Sequence, residues 1–382
     1  MTGVNFHRNA RKETAMFPKS FERLTAALVV ALEMNKSRAK CFAAIILTAI
    51  EGKSVLLADV AKRLPGAALD KSKFHRLQDF YREVRPDFSA LARMIMGYLD
   101  IAAGHSLVLA LDRTGWQMRG GHEYNLLLLC ACTGDMGVPI LWRDLERLGN
   151  SSPEQRIPLL ESFINLFGAE RVHCLLGDRE FVGKAWFNWL RGRDIPFVMR
   201  LRNDIRVADS CGRMVPATNL FHCLRVGESM VLGSRTVFHG LSSICAMRLR
   251  SGELLVLASH GIDAKEALAL YKQRWNIETG FEKLKTHGFH IESSRLHGQG
   301  KMECVLVALA IGAAWCHASG VWSVKAIAPI KLKKHGRKEQ SIFSRGMALL
   351  CSLFHGIGRE LRHVSQAVFG MLRRAANAAI QK

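Results

Sequence analysis

The sequence predicts an α/β fold: a mixed β-sheet core flanked by helices, with a β-rich insertion and helical regions at either end. Three observations carry the prediction. Two short apolar runs, residues 106–112 and 172–178, each close on an aspartate, as buried strands do where they leave a sheet. Two further runs, 125–132 and 138–142, flank a Gly-containing turn and read as an antiparallel hairpin. On both sides of this centre the apolar residues recur at helical spacing instead.

In chain order, residues 20–50 read as an amphipathic helix pair, with Leu24, Ala27, Leu28 and Ala31 on one face. Residues 54–65 look like a capped helix stopped by Pro65, and a second helix carries Lys71, Lys73, Arg76 and Arg82. Two short helices with cations on the second suit a helix-turn-helix-like module, a pattern that other small helical bundles share. Three strands follow from residue 106, then a helix from Ser152 or Pro153 to Phe167, a strand over 172–178, a helix over 181–191 and a strand over 195–200. The order β-β-β-α-β-α-β is the ribonuclease-H-like arrangement. In open α/β sheets functional groups gather at the carboxyl ends of strands, and Asp112 and Asp178 both stand there. Residues 203–262 hold short β-like pieces separated by Gly, Ser and Asp, which suits an insertion; a helix over 264–286 follows.

The net charge is +21 in 382 residues. Such a surplus repels itself, and a polyanion such as nucleic acid relieves it. Residues 1–100 carry 17 Lys and Arg against 10 acids, residues 101–300 carry 24 against 20, and residues 301–382 carry 13 against 3. Basic flanks around a nearly balanced centre suit arms that grip nucleic acid beside an acidic catalytic core. A solvated basic surface is the plainer alternative. The run Lys331, Lys333, Lys334, Arg337 and Lys338 reads as a phosphate-binding segment or a solvated linker. Five segments are therefore expected: a helical DNA-binding region (1–100), a core in two parts (101–202 and 263–322) around the insertion (203–262), and a basic helical region (323–382) for DNA-end binding or dimerisation.

Among ten cysteines only Cys130 and Cys132 are close in sequence, with no C-x-x-C pair, so a reduced, cytoplasmic protein is expected. Residues 1–20 show no apolar core of a signal peptide. Residues 304–324 lack formal charge and are long enough to span a bilayer, but Gly312, Gly320, His317 and many alanines suit a buried helix against the central sheet equally well. No membrane partner is expected.

The helix over 264–286 carries the chemistry. At about 100° per residue, Tyr271, Arg274, Glu278 and Lys285 line one stripe, while Leu268, Trp275, Phe281 and Leu284 offer an apolar face for the sheet. Two-metal phosphoryl transfer needs carboxylates from separate elements converging on two cations. Asp112, Asp178 and Glu278 are such a set. Three close carboxylates cannot all ionise without a cation, and Mg²⁺ with its preference for oxygen resolves the conflict. Taken singly, Asp112 and Asp178 are also readable as strand-end caps or salt-bridged turn residues, and Glu278 as an ion-pair partner along its helix.

Tyr271-x-x-Arg274-x-x-x-Glu278-x-x-x-x-x-x-Lys285 resembles the Y-R-E-K signature of the insertion sequence four family of bacterial DDE transposases. Asp112-Arg-Thr-x-Trp116 is similar to that family's first aspartate motif and Gly177-Asp178-Arg-Glu-Phe181 to its second. The likeness runs from about residue 50 to 350 and includes residues 149–151 and Arg200-x-Arg202-Asn203. It implies a ribonuclease-H-like core and two Mg²⁺ ions, with Mn²⁺ as a substitute, held by Asp112, Asp178 and Glu278. It also implies double-stranded DNA partners, namely the terminal inverted repeats of a mobile element and target DNA, engaged by a homodimer in a paired-end complex.

By the same resemblance Tyr271, Arg274 and Lys285 grip phosphates near the cut, and Arg113, Arg200, Arg202, Lys73, Arg76, Lys333 and Lys334 are further DNA contacts. A phosphodiester would be hydrolysed and the freed 3′-hydroxyl would attack the second strand or target DNA. In some relatives a tryptophan of the insertion stacks on a flipped base. Here no Trp lies between Trp189 and Trp275, leaving Phe221, His222, Phe238 and His239 as aromatic alternatives. A non-catalytic DNA-binding regulator derived from a mobile element, or a nuclease that reads DNA shape, are the competing functions.

Overall fold

The computed structural model describes residues 6–99, 105–117, 123–133, 136–146, 148–275, 299–334, 336–355 and 361–380. Two compact units emerge: one of Met1–Ala102, Gln117–Glu123 and Glu282–Lys382, the other of Ala103–Trp116 and Tyr124–Phe281.

The second unit is built on one mixed sheet. Its first three strands are β1 (Leu107–Gln117), β2 (Glu123–Cys132) and β3 (Gly137–Asp144). Next come α6 (Pro153–Phe167), β4 (Val172–Gly177), α7 (Lys184–Gly192) and β5 (Phe197–Arg200). The sheet order is β3-β2-β1-β4-β5, with β4 parallel to both β1 and β5, and β3 antiparallel to β2. This is the ribonuclease-H-like arrangement expected from the sequence. β2 is buried along eight successive residues and most of β1 and β4 is buried too. Strands covered on both faces read as continuous apolar runs rather than alternating ones.

The insertion does not stand apart from the sheet. β8 (Ser229–Val237), β9 (Gly240–Arg248) and β10 (Leu254–His260) extend it antiparallel, β10 pairing with β5 from Leu257↔Arg200 to His260↔Phe197. Only the short strands β6 (Arg206–Ala208) and β7 (Met214–Pro216) make a separate pair.

Two boundaries differ from expectation. β1 runs on to Gln117, so Asp112 sits within the strand rather than at its end. The reason is that Thr114 and Trp116 are buried and keep alternate positions turned inward. α7 starts at Lys184 rather than residue 181, because residues 178–181 are committed to a turn in which Asp178 Oδ1 accepts from the Glu180 amide (2.8 Å) and Asp178 O from the Phe181 amide (3.0 Å).

The first unit is helical: α1 (Phe6–Ala31), α2 (Lys36–Gly52), α3 (Leu57–Arg63), α4 (Asp70–Glu83), α5 (Phe88–Tyr98), α9 (Gln299–Ala326), α10 (Ile342–Phe354) and α11 (Leu361–Ile380). The N- and C-terminal segments, expected as separate regions, thus share one unit. Buried Glu51 at the end of α2 ties it together, pairing with Arg63 of α3 and, at 2.7 Å, with His355 after α10. α9 is long and apolar enough to cross a membrane, but 89% of its apolar window is buried in the protein. Its neighbours are helices α10, α2 and α5, whereas the sequence reading packed it on the sheet. An apolar surface on all sides is what a helix surrounded by other helices requires.

Candidate active site

Strand register gives Asp112 and Asp178 equivalent positions along neighbouring stretches of chain. Ala110 of β1 pairs with Leu176 of β4, and two residues beyond that pair on each chain stand the two aspartates. Neighbouring strands lie about 4.8 Å apart, the scale of a shared pair of metal ions. Both carboxylates are half-buried. Each accepts a local amide, Asp112 Oδ1 from Arg113 (2.9 Å) and Asp178 Oδ1 from Glu180 (2.8 Å). Gly177 is required just before Asp178: a Cβ there would lie 2.5 Å from Met199 Sδ and 2.9 Å from Phe181 Cβ.

The helix that follows β10 packs against β9, β10 and β5. α8 (Ala264–Tyr271) is capped by Asp263, whose carboxylate accepts from the Lys265 amide, and continues through a 3₁₀ turn, Lys272–Arg274. Its buried face is Ala264, Ala267, Leu270, Tyr271 and Arg274, while Leu268 is half-buried and Trp275 is 44% exposed. This departs from the expected orientation at Leu268 and Trp275, the two described residues of the expected apolar face. The Tyr–Arg stripe turns toward the sheet and the Leu268–Trp275 side turns away, because charged groups at the strand ends accommodate the polar pair. The Arg274 and Arg200 cations favour the ionised Tyr271 phenol and Asp178 disfavours it, but burial dominates and pushes the phenol up to about 12. Burial likewise pushes the Cys132 thiol at the end of β2 up to about 12, against the pull of Arg274. Glu278, Lys285, Phe281 and Leu284 lie outside the described residues.

Other expected DNA contacts are placed variously. Arg113 is turned inward, its Nε donating to Glu180 (2.8 Å) and its Nη1 to Asn125 (3.0 Å). Arg200 pairs with Glu253 and Arg202 with Asp204 (3.3 Å). Arg76 donates to the backbone of Ser37 (2.9 Å) and packs helix on helix. Lys73 is half-buried; Lys333 and Lys334 are exposed. Of the insertion aromatics, Phe221 is fully buried and Phe238 packs edge-on against Phe187, with ring centres 5.1 Å apart. His222 and His239 are exposed.

A network beneath the aspartates escaped the sequence reading. Glu180 accepts from the Ser151 amide and hydroxyl (both 2.9 Å), and Asn125 donates to Gly149 O (3.1 Å). Buried Arg156 donates to Ser151 Oγ (2.8 Å) and Glu180 O (3.1 Å), with its guanidinium 5.0 Å from the Phe181 ring. The signal was present: Arg156 falls in the inward series Arg156, Leu159, Leu160, Phe163 of α6. A cation at such a position needs a buried acceptor.

The model of the transposase DDE domain family matches residues 103–315, which covers the sheet and both aspartates. The chain belongs to that family. Among solved structures, this DDE transposase is similar to a piggyBac transposase synaptic complex with hairpin DNA, at 14% identity and a TM-score of 0.45, over 95% of this chain and 85% of that one. No curated protein matches it. DDE transposase domains generally use divalent metal ions. The donor chemistry here fits: Asp112 and Asp178 offer hard carboxylate oxygens, the ligand type Mg²⁺ prefers. Among the described residues no three His, Cys, Asp or Glu side chains cluster as a metal-binding group.

Proposed function

We propose that this DDE transposase, of the insertion sequence four type, binds the terminal inverted repeats of a mobile element and cuts and joins DNA there, with Asp112, Asp178 and Glu278 holding two Mg²⁺ ions. The observation that carries the reading is that Asp112 and Asp178 each stand two residues beyond the paired Ala110 and Leu176 of parallel β1 and β4, within the family domain. When bound, the ions would supply charge neutralisation and Lewis acidity at a phosphodiester.

The chain's own residues orient the reacting strand. Asp112 and Asp178, each fixed by an amide, present preset oxygens. Tyr271 keeps its phenol proton at neutral pH and is a hydrogen-bond donor, and Arg274 and Lys285 supply positive charge for phosphate oxygens. Arg202, Lys73, Lys333 and Lys334 serve backbone contact away from the cut. A homodimer would hold two ends together, in a cytoplasmic, nucleoid-associated setting.

The test is cleavage of DNA bearing the element's ends under Mg²⁺ or Mn²⁺. Folded Asp112→Ala, Asp178→Ala and Glu278→Ala proteins should each lose it. Tight end binding with no cleavage by the wild-type chain would instead make it a non-catalytic regulator.

A further inference from the structure

Glu180 belongs to the second aspartate motif but not to the carboxylate set, and its side chain is only 10% exposed. Both of its oxygens are occupied. Oε1 accepts from the Ser151 amide and hydroxyl, and Oε2 accepts from Arg113 Nε. Its own amide donates to Asp178 Oδ1, while the Arg113 amide donates to Asp112 Oδ1. A continuous chain of contacts results, from Asp112 through Arg113 and Glu180 to Asp178. Ser151 and Arg156 anchor it to the start of α6, and Asn125 anchors it to β2.

We propose that Glu180 is a positioning residue, which through Arg113 sets the separation and aim of the Asp112 and Asp178 carboxylates. The proposal rests on the reading that these two aspartates hold the catalytic ions. Strand register alone leaves each carboxylate free to rotate. The amides that restrain them belong to Arg113 and Glu180, and the ion pair between those two side chains locks one restraint to the other. A carboxylate is needed because donors approach both oxygens. In Glu180→Gln the amide offers one acceptor, so its NH₂ must face either Arg113 or Ser151, donor against donor.

Residues that orient metal ligands change affinity or activity by about 10- to 100-fold when replaced. Glu180→Gln should therefore raise the Mg²⁺ concentration for half-maximal cleavage by about that factor, with the rate recovering as metal saturates. Mn²⁺ binding to the DNA-free protein, measured by titration calorimetry, should weaken in parallel. Glu180→Asp keeps both oxygens and should fall between wild type and Gln. The Arg113→Gln, Glu180→Gln pair should be no worse than the poorer single variant, since both break one bond.

A Glu180→Gln protein that loses thermal stability but keeps wild-type metal dependence and Mn²⁺ affinity would overturn the proposal. If Glu180→Gln does not fold, Glu180→Asp decides by the same two readouts. Asp112→Ala and Asp178→Ala separate the two levels. If they abolish cleavage while the Glu180 variants leave metal dependence unmoved, only the positioning role fails. If they still cleave, the metal-site reading fails and takes the positioning role with it.

Discussion

Arg274 holds its guanidinium carbon 5.8 Å from the centre of the Tyr271 ring, about one helical turn along the chain, and both side chains are buried. A planar guanidinium beside an aromatic ring combines cation–π attraction with directed donors, and a lysine ammonium reproduces only the charge. Arg274→Lys is expected to destabilise the fold by about 1–2 kcal/mol, read by urea unfolding. It should also lower end cleavage more than end binding. Unchanged stability and cleavage would show that charge alone suffices at this position.

Tyr271 allows a statement about pH. An unperturbed phenol ionises near about pH 10. Here burial, the largest cause, raises that value to about 12, so the folded protein favours the neutral form. The stability linked to this group is complete below about pH 10 and is lost as pH rises through about 12. Across the neutral range the phenol keeps its proton. Tyr271→Phe should lower the height of the cleavage–pH profile and leave its shape between about pH 6 and 9 unaltered. A basic limb in the wild-type profile that disappears in the Phe variant would contradict this.

Much of the site was legible because its elements announce themselves locally. β4 is a six-residue run with Asp178 directly after it, and α6 begins at Pro153, where Ser152 precedes a proline and Gln155 returns a cap. What stayed hidden depends on partners distant in sequence. Leu268 and Trp275 look like a docking face until Tyr271 is seen buried near Arg200 and Asp178, with Arg274 buried beside it. Arg113 looks like a DNA contact until Glu180, 67 residues away, is seen to accept from it. The strands of the insertion gave no hint that β10 would pair with Phe197–Arg200, since pairing partners are not written in a strand's own pattern.

The basic run between α9 and α10 carries backbone pairing on either side of residue 335. Leu332 bridges Lys338, Lys333 N donates to Arg337 O and Glu339 N to Lys331 O (both 2.8 Å), and Gly336 takes the left-handed conformation the turn needs. Lys331, Lys333, Lys334, Arg337 and Lys338 are all exposed on it. Such a preformed array suits phosphate contact without sequence reading. Replacing Lys331, Lys333 and Lys334 by Gln should flatten the slope of log affinity against log salt by about 0.9 per lost contact. The loss should be equal for element ends and random duplex in a binding assay at stated salt. A loss confined to the element ends would assign the run to sequence recognition instead.

The helical unit depends on two glycines where α9 meets α10. A Cβ on Gly346 would strike the Cys316 carbonyl oxygen and come within 2.5 Å of the Gly320 amide, and one on Gly320 would strike Ile342 O. These obstacles are backbone atoms, so no side-chain rotation relieves them and the helices must part. Overpacking of this kind costs about 1–3 kcal/mol, and separating two buried helices adds lost contacts to that. Gly346→Ala should therefore lower the unfolding midpoint clearly in a thermal melt. Gly192→Ala, at the end of α7 with nothing within 4 Å of a new Cβ, is the matched control and should be neutral or slightly stabilising. If Gly346→Ala melted with the control, the close crossing of α9 and α10 would not be what holds this unit together.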